Sequence, residues 1–323
     1  MLNFAILTAG NIAGQMAATL AGMTHEVTPY AIAARDQNRA AAMAETYGFA
    51  KAYGSYEALF ADDNVDIVYV ASPHNFHAQH VREALCAGKH ALCEKPMTVN
   101  AAESAELFAL AAEKKLVLTE ATWTRYQPFV PLLLQKIADG VIGEVQLVTA
   151  NFGFPLTHKP RLAQPQLAGG ALLDLGIYPL TFASIVLGDA VASVNSSCVK
   201  TSLGVDGTET ITLIYKNNAV ASLTACMTAE LDNKGMIYGT KGCIEVPLFW
   251  HAQQFTVHVP GKEAETVHCP FDISGYEYEV RSLIAAIENG SLECPALPHR
   301  ETLRMMQLMD TLRADWGVRY PFE

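Results

Sequence analysis

The chain lacks the marks of several protein classes. It has no C-x-x-C pair, and its 7 cysteines (Cys86, Cys93, Cys198, Cys226, Cys243, Cys269 and Cys294) are odd in number and scattered. That pattern speaks against a disulfide framework and predicts reduced, mostly buried thiols in a cytoplasmic protein. Positive charge is scarce. Lys and Arg total 22 against 33 Asp and Glu, a net charge of −11. A field of that sign argues against nucleic acid and anionic membrane surfaces as partners. Any phosphate-bearing ligand must therefore meet a local basic patch. No apolar run is expected to reach membrane-spanning length, because charges or turn residues interrupt each one. No basic leader precedes the first apolar stretch, Leu2 to Leu7, so no secretory signal is expected. Low-complexity segments and repeats are also missing.

What is present is a chain of 323 residues, 50% hydrophobic and 17% charged. Two globular domains with ample core are expected from this size and composition. The first third alternates strand and helix patterns. Strands are predicted over 3–7, 27–33, 66–71, 90–93 and 116–119, with helices over 11–21, 36–47, 76–87 and 101–114. That β-α-β-α order implies a doubly wound parallel sheet of the Rossmann type. The pattern changes near residue 122. A helix is predicted over 128–139, then closely spaced strands over 144–154, 192–200, 208–215, 219–227, 242–247 and 255–259. Tyr215-Lys216-Asn217-Asn218-Ala219 reads as a hairpin turn with Asn218 in its left-handed position. Helices over 172–187, 275–288 and 301–314 complete an α+β domain with a largely antiparallel, open sheet. The expected domains are 1–121 for nucleotide binding and 122–323 for substrate binding and oligomerisation. The apolar strands from 192 to 259 have too few helices to cover both faces, which predicts a homodimer or higher homo-oligomer.

The turn after the first strand reads Thr8-Ala9-Gly10-Asn11-Ile12-Ala13. A dinucleotide fingerprint would have glycine where Thr8 and Ala13 stand. Only Gly10 remains, at the position of closest backbone approach to a pyrophosphate, and Asn11-Ile12 open the helix whose N–H groups would meet that anion. The second strand ends Ala33-Ala34-Arg35-Asp36, with Arg39 one helical turn on. Arg35 and Arg39 suit a ribose 2′-phosphate, so NADP is expected over NAD. Asp36 is either a competing ribose ligand or a helix N-cap. Ser72, His74, Asn75 and His77 lie beyond the third clear strand, at the carboxyl edge where ligands bind, and are taken as cofactor contacts. His74, His77 and His80 share a helical face, but no acid or thiol joins them at ligand spacing, and no metal is expected.

Leu92-Cys93-Glu94-Lys95-Pro96 closes another strand. Pro96 keeps Lys95 out of helical geometry, and Glu94 and Lys95 are held at the same edge. A lysine placed there can polarise a hydroxyl or carbonyl and lower the pKa of a neighbouring acid. Downstream stands Gly169-Gly170-Ala171-Leu172-Leu173-Asp174-Leu175-Gly176-Ile177-Tyr178, with Asp174 and Tyr178 one helical turn apart on one face.

With these segments, and with Lys51-Ala52-Tyr53-Gly54-Ser55-Tyr56-Glu57, Glu120-Ala121-Thr122-Trp123-Thr124-Arg125-Tyr126 and Leu156-Thr157-His158, the chain resembles the glucose-fructose oxidoreductase / inositol dehydrogenase / rhizopine-catabolism (Gfo/Idh/MocA) family over nearly its whole length. Within the family it is most similar to the branch of dimeric dihydrodiol dehydrogenases and NADP-dependent D-xylose dehydrogenases. Departures are Thr8, which the dihydrodiol branch shares, and Phe154 with its neighbours. The resemblance implies an NAD(P)-dependent dehydrogenase of sugars or cyclic vicinal diols, with Lys95, Asp174 and Tyr178 as catalytic set. Tyr178 would exchange a proton with the substrate hydroxyl, Lys95 would favour tyrosinate, and Asp174 would orient substrate or lysine. Which of Lys95 and Tyr178 is the formal base is left open. Trp123, Arg125, Phe154 and His158 would line the substrate pocket. A non-catalytic dinucleotide-binding sensor is the alternative; an intact Lys95/Asp174/Tyr178 set favours the enzyme.

Overall fold

Short runs of small and β-branched residues make the first sheet. In a computed structural model describing residues 1–323, these are β1 (Asn3–Leu7), β2 (Thr28–Ala33), β3 (Lys51–Tyr53), β4 (Ile67–Val70), β5 (His90–Glu94) and β6 (Leu118–Ala121). All pairings are parallel, in the order β3-β2-β1-β4-β5-β6. Phe4, Ile6, Ile67, Val70, Ala91 and Leu92 are fully buried, as expected for a sheet covered on both faces. The cover is α1 (Asn11–Gly22), α2 (Gln37–Tyr47), a short α3 (Tyr56–Phe60), α4 (His77–Cys86) and α5 (Ala101–Lys114). The sequence pattern missed β3 and α3, which are only 3 and 5 residues long and carry no full period.

The second sheet comprises β7 (Val145–Gly153), β8 (Val191–Lys200), β9 (Asp206–Tyr215), β10 (Val220–Cys226), β11 (Lys234–Gly239), β12 (Cys243–Pro247), β13 (Gln254–His258) and β14 (Glu265–His268). Its order is β14-β13-β12-β11-β7-β10-β9-β8. Every pair is antiparallel except β7 with β10. Asn218 takes the left-handed conformation in the β9–β10 turn, with φ 65°. Strands β11 and β14 were not read from the sequence. The helices here are α6 (Phe129–Ala138), the single turn α7 (Pro160–Ala163) and α8 (Ile177–Leu187).

The run over 165–187 corrects one expectation. It is long and apolar enough to cross a membrane by composition, and 83% of its most apolar window is buried within the protein. A helix apolar all round is a core helix when protein covers it.

By contacts the chain divides into a unit of residues 1–122 with 272–306 and a unit of residues 123–271 with 307–323. The first break falls one residue from the boundary expected at 121/122; the second was not anticipated. Residues 272–306, expected in the second domain, fold with the first. They carry α9 (Glu277–Glu288) and the start of α10 (His299–Trp316). Arg281 holds Glu26 with two bonds of 2.8 and 2.9 Å, and Thr302 donates to the buried Glu120 at 3.0 Å. These partners lie far apart in sequence, so no local pattern announces them.

Candidate active site

In the first unit, the residues singled out for the cofactor gather at the carboxyl ends of the parallel strands. Thr8 occupies the position of the fingerprint's first glycine and adopts its conformation, with φ 94°. A non-glycine residue there is strained. It is held by Thr8 N to Ala33 O at 2.8 Å and Thr8 Oγ1 to Ala71 O at 3.0 Å. Gly10 has an ordinary φ of −88°, and the nearest protein atom to a Cβ built there would be Thr8 Oγ1 at 3.9 Å. The protein itself therefore makes no demand for glycine at position 10. Close approach of a ligand would. Helix α1 starts at Gly10 with no side-chain cap and no acid in its first turn, so Asn11 and Ile12 open an anion-receptive end.

Asp36 settles its two alternatives as the N-cap of α2, accepting from Asn38 N at 2.9 Å and Arg39 N at 3.4 Å. Arg35 and Arg39 are exposed at this end, and Arg39 Nη2 donates to Ala9 O at 2.7 Å, against the first turn. An uncapped helix end, an open glycine and two arginines suit a phosphorylated dinucleotide.

The histidines divide by burial. His77 is fully buried, with Nδ1 at 2.8 Å from Pro96 O and Nε2 at 2.7 Å from Ser72 O. Burial pushes its pKa down to about 4, against the pull of the two carbonyls. Its ring is thus a brace between the ends of β4 and β5, which corrects its assignment as a cofactor contact. His80 holds Ser72 Oγ at 2.9 Å. His74 and Asn75 are half-buried on the one-turn helix leading into α4. Glu94 accepts from the hydroxyl of Tyr69 and from Lys95 N. Lys95 is half-buried at the end of β5.

The second unit carries the other candidates. Residues 172–176 form a π-turn, with Ile177 N–H reaching back to Leu172 O, and α8 continues from it. Such widened turns concentrate at functional sites. Asp174, 4% exposed, pairs with Arg161 Nη1 at 2.5 Å. Sequence reading missed Arg161; its only signal was a cation three residues after His158. Tyr178 is half-buried, and its ring lies 5.0 Å from that of Phe152. Phe152 also touches Phe154 at 5.3 Å and Trp250 at 4.5 Å between centroids. Trp250 was missed as well. Trp123 meets His251 at 5.8 Å, Arg125 donates to Ser184 Oγ at 2.7 Å, and His158 is exposed ahead of α7.

Two carboxyls of β9 lie beneath the Gly169–Tyr178 segment. Asp206, fully buried, accepts from Leu172 N at 2.5 Å and so caps the start of the turn from a distant strand. Gly170 sits at φ 127°, and a Cβ there would fall 2.1 Å from Asp206 Oδ1. A Cβ on Gly176 would fall 2.6 Å from Glu209 Oε1. The glycines are the space in which these carboxyls sit.

Comparison with known proteins bears on both units. The model of the oxidoreductase family with NAD-binding Rossmann fold (GFO/IDH/MocA) matches residues 2–122, and that of the GFO/IDH/MocA C-terminal domain matches residues 132–245. Trans-1,2-dihydrobenzene-1,2-diol dehydrogenase of Macaca fuscata fuscata is 37% identical, over 99% of this chain and 98% of the relative. The mouse protein of the same name, from Mus musculus, is 35% identical with the same coverage. A 3-ketoreductase from Actinomadura kijaniata, solved with NADP and TDP-benzene, superposes with a TM-score of 0.87 at 27% identity, over 97% of each chain.

Gly170→Ala should cost about 3 kcal/mol or more, because it meets both a left-handed φ and a capping carboxylate. Gly188→Ala, also at positive φ but with nothing within 4 Å, should cost only about 1 kcal/mol. Urea midpoints of the two variants check the difference.

Proposed function

We propose that this chain, which belongs to the GFO/IDH/MocA oxidoreductase family, is an NADP-preferring dehydrogenase that transfers a hydride between its cofactor and a CH–OH or carbonyl carbon of a sugar or cyclic vicinal diol. The observation that carries the proposal is Tyr178. It stands half-buried against an aromatic wall, one turn from a carboxylate held by Arg161. Relatives that span the whole chain are named dehydrogenases of trans-1,2-dihydrobenzene-1,2-diol, which supports a cyclic diol as readily as a sugar. Phe154 and Trp250 suit the apolar face of either.

When bound, the nicotinamide ring supplies the hydride chemistry. The chain's own residues do the rest. The uncapped end of α1 and the Gly10 turn receive the pyrophosphate. Arg35 and Arg39 recognise a 2′-phosphate, while Asp36 uses its Oδ1 to cap α2. Tyr178 moves a proton at the substrate oxygen. Asp174, fixed by Arg161, accepts a hydrogen bond from a second hydroxyl. Asp174 and the aromatics would then select polyhydroxylated or vicinally hydroxylated rings over simple alcohols.

We also propose a homodimer formed through the open face of the second sheet. Val199, Ile214 and Tyr238 are exposed at 71%, 36% and 38% on β8, β9 and β11, an apolar set that favours association. Sedimentation at micromolar concentration should show a dimer, and a monomer would reject this interface.

Tyr178→Phe keeps the ring and removes the hydroxyl. Turnover should fall by about two to four orders of magnitude with cofactor affinity nearly unchanged. Lys95→Met should also slow turnover, measured with the same substrate. Near-normal turnover of Tyr178→Phe, with a hydride isotope effect showing that chemistry limits the rate, would remove Tyr178 from the mechanism.

Arg35→Ala should raise the KM for NADP about ten- to hundredfold, the size of one charge-assisted contact of roughly 1.5–3 kcal/mol, and leave that for NAD nearly unchanged. Equal losses with the two cofactors would rule out the 2′-phosphate role.

A further inference from the structure

Two strongly buried acids of the second unit take no part in the reaction above: Asp206, which caps the turn at Leu172, and Glu209. Glu209 is 1% exposed, and neither of its carboxyl oxygens has a hydrogen-bond partner. Its titratable neighbours come from several elements. Asp206 is on its own strand, Cys198 on β8, Cys226 on β10, and Tyr320 comes from the C-terminal segment. None of these supplies a positive charge. Two cations act on its neighbours: Arg313 on Asp206, itself bound to Asp310 and Glu323, and Lys200 on Cys198. Asp206, in turn, is capped by Leu172 N and is the better placed of the two acids to hold a charge. Burial, with Asp206 and Cys226 adding to it, lifts the Glu209 pKa well above the usual carboxylate range.

Position gives this acid its consequence. Oε1 lies where a Cβ of Gly176 would be, directly beneath the turn between Asp174 and Tyr178. We infer that Glu209 is a positioning residue: a neutral carboxylic acid that fills the space under Gly176, holds the π-turn in place, and so sets where Tyr178 stands. An ionised Glu209 has no partner there. It must draw water or swing away, and the turn above it moves. Glu209 thus acts through Tyr178, and its effect on turnover rests on the acid–base role proposed for that residue. Its hold on the turn does not.

Three measurements on the full chain test this, using Glu209→Gln and Glu209→Ala. Hydrogen exchange of the amides of residues 171–178 should be about tenfold or more faster in the alanine variant and within about twofold of wild type in the glutamine variant. Unchanged exchange in Glu209→Ala overturns the proposal.

The second measurement is thermal stability against pH. An acid whose folded pKa is raised contributes its full share below the unfolded value, near about 4.3, and loses it as pH rises toward the folded value. The wild-type melting temperature should therefore fall relative to Glu209→Gln by up to about 3 °C per pH unit above pH ~5. Parallel curves would mean that Glu209 is ionised in the folded protein, and would overturn its neutrality even if the alanine variant does not fold.

The third is the kcat profile with the best substrate. The glutamine variant should keep turnover within about threefold and lack an alkaline decline that wild type shows. A decline that persists unchanged in Glu209→Gln assigns it elsewhere and overturns the positioning role. The first two readouts need no substrate, so a failure of the proposed reaction is distinguishable from a failure of Glu209.

Discussion

The capping of one helix by a distant strand is the contact on which the second unit's candidate site depends. The segment Gly169–Tyr178 has no side-chain cap of its own. Its first N–H groups are met by Asp206 of β9, a residue more than thirty positions away. A buried helix start without such a partner would leave donors unpaired, at a cost of about 1–3 kcal/mol each. The carboxylate needs room, and Gly170 provides it at a φ that other residues avoid. Tyr320 closes the same corner by donating to Gly169 O at 3.0 Å. Asp174 and Tyr178 inherit their positions from this arrangement. Their spacing in sequence is only half of what places them.

The first unit solves a related problem with backbone carbonyls. Parallel strands end in turns whose polar groups must be satisfied without filling the ligand edge. His77 lies against both turns: its neutral ring has one N–H, which can donate to either Ser72 O or Pro96 O, and its other nitrogen faces the second carbonyl. Glu120, 3% exposed, accepts from Met97 N at 2.9 Å and from Thr302. The segment just after Lys95 is thereby pinned from beneath. Lys95 stands at the end of β5 on a fixed base, which suits a group that must act at one defined point.

Asp206, Glu120 and His77 are among the buried polar residues of the two units. Apolar side chains fill the rest of both cores, from Phe4 and Ile6 in the first sheet to Ile237, Ile244 and Phe255 in the second. Those residues supply the bulk of the stabilisation through burial. They would tolerate shape-conserving change more readily than Asp206, Glu120 or His77, because a buried polar group that loses its partner carries a desolvation penalty that a repacked aliphatic does not.

The sequence by itself determined the elements with strong period and punctuation. The alternation of β1, β2, β4, β5 and β6 with helices, the hairpin at Asn218, the helix start after Gly10 and the Asp174–Tyr178 spacing were all legible there, since each rests on residues close in the chain. It also showed that the dinucleotide turn lacked a glycine at position 8. Only the tertiary structure showed that Thr8 takes the glycine conformation regardless, held by the carbonyls of Ala33 in β2 and Ala71 just after β4. It decided that Asp36 caps α2, that His77 braces two turns, and that residues 272–306 fold with the first unit. It also decided that Arg161 holds Asp174, that Trp250 joins the aromatic wall, and that Asp206 and Glu209 lie under the glycines. Apart from the Asp36 cap, where local sequence offered two roles and could not choose, these rest on contacts between different segments, about which local spacing carries no information. The glycines themselves were visible, but the reason for them lay in carboxylates on another strand.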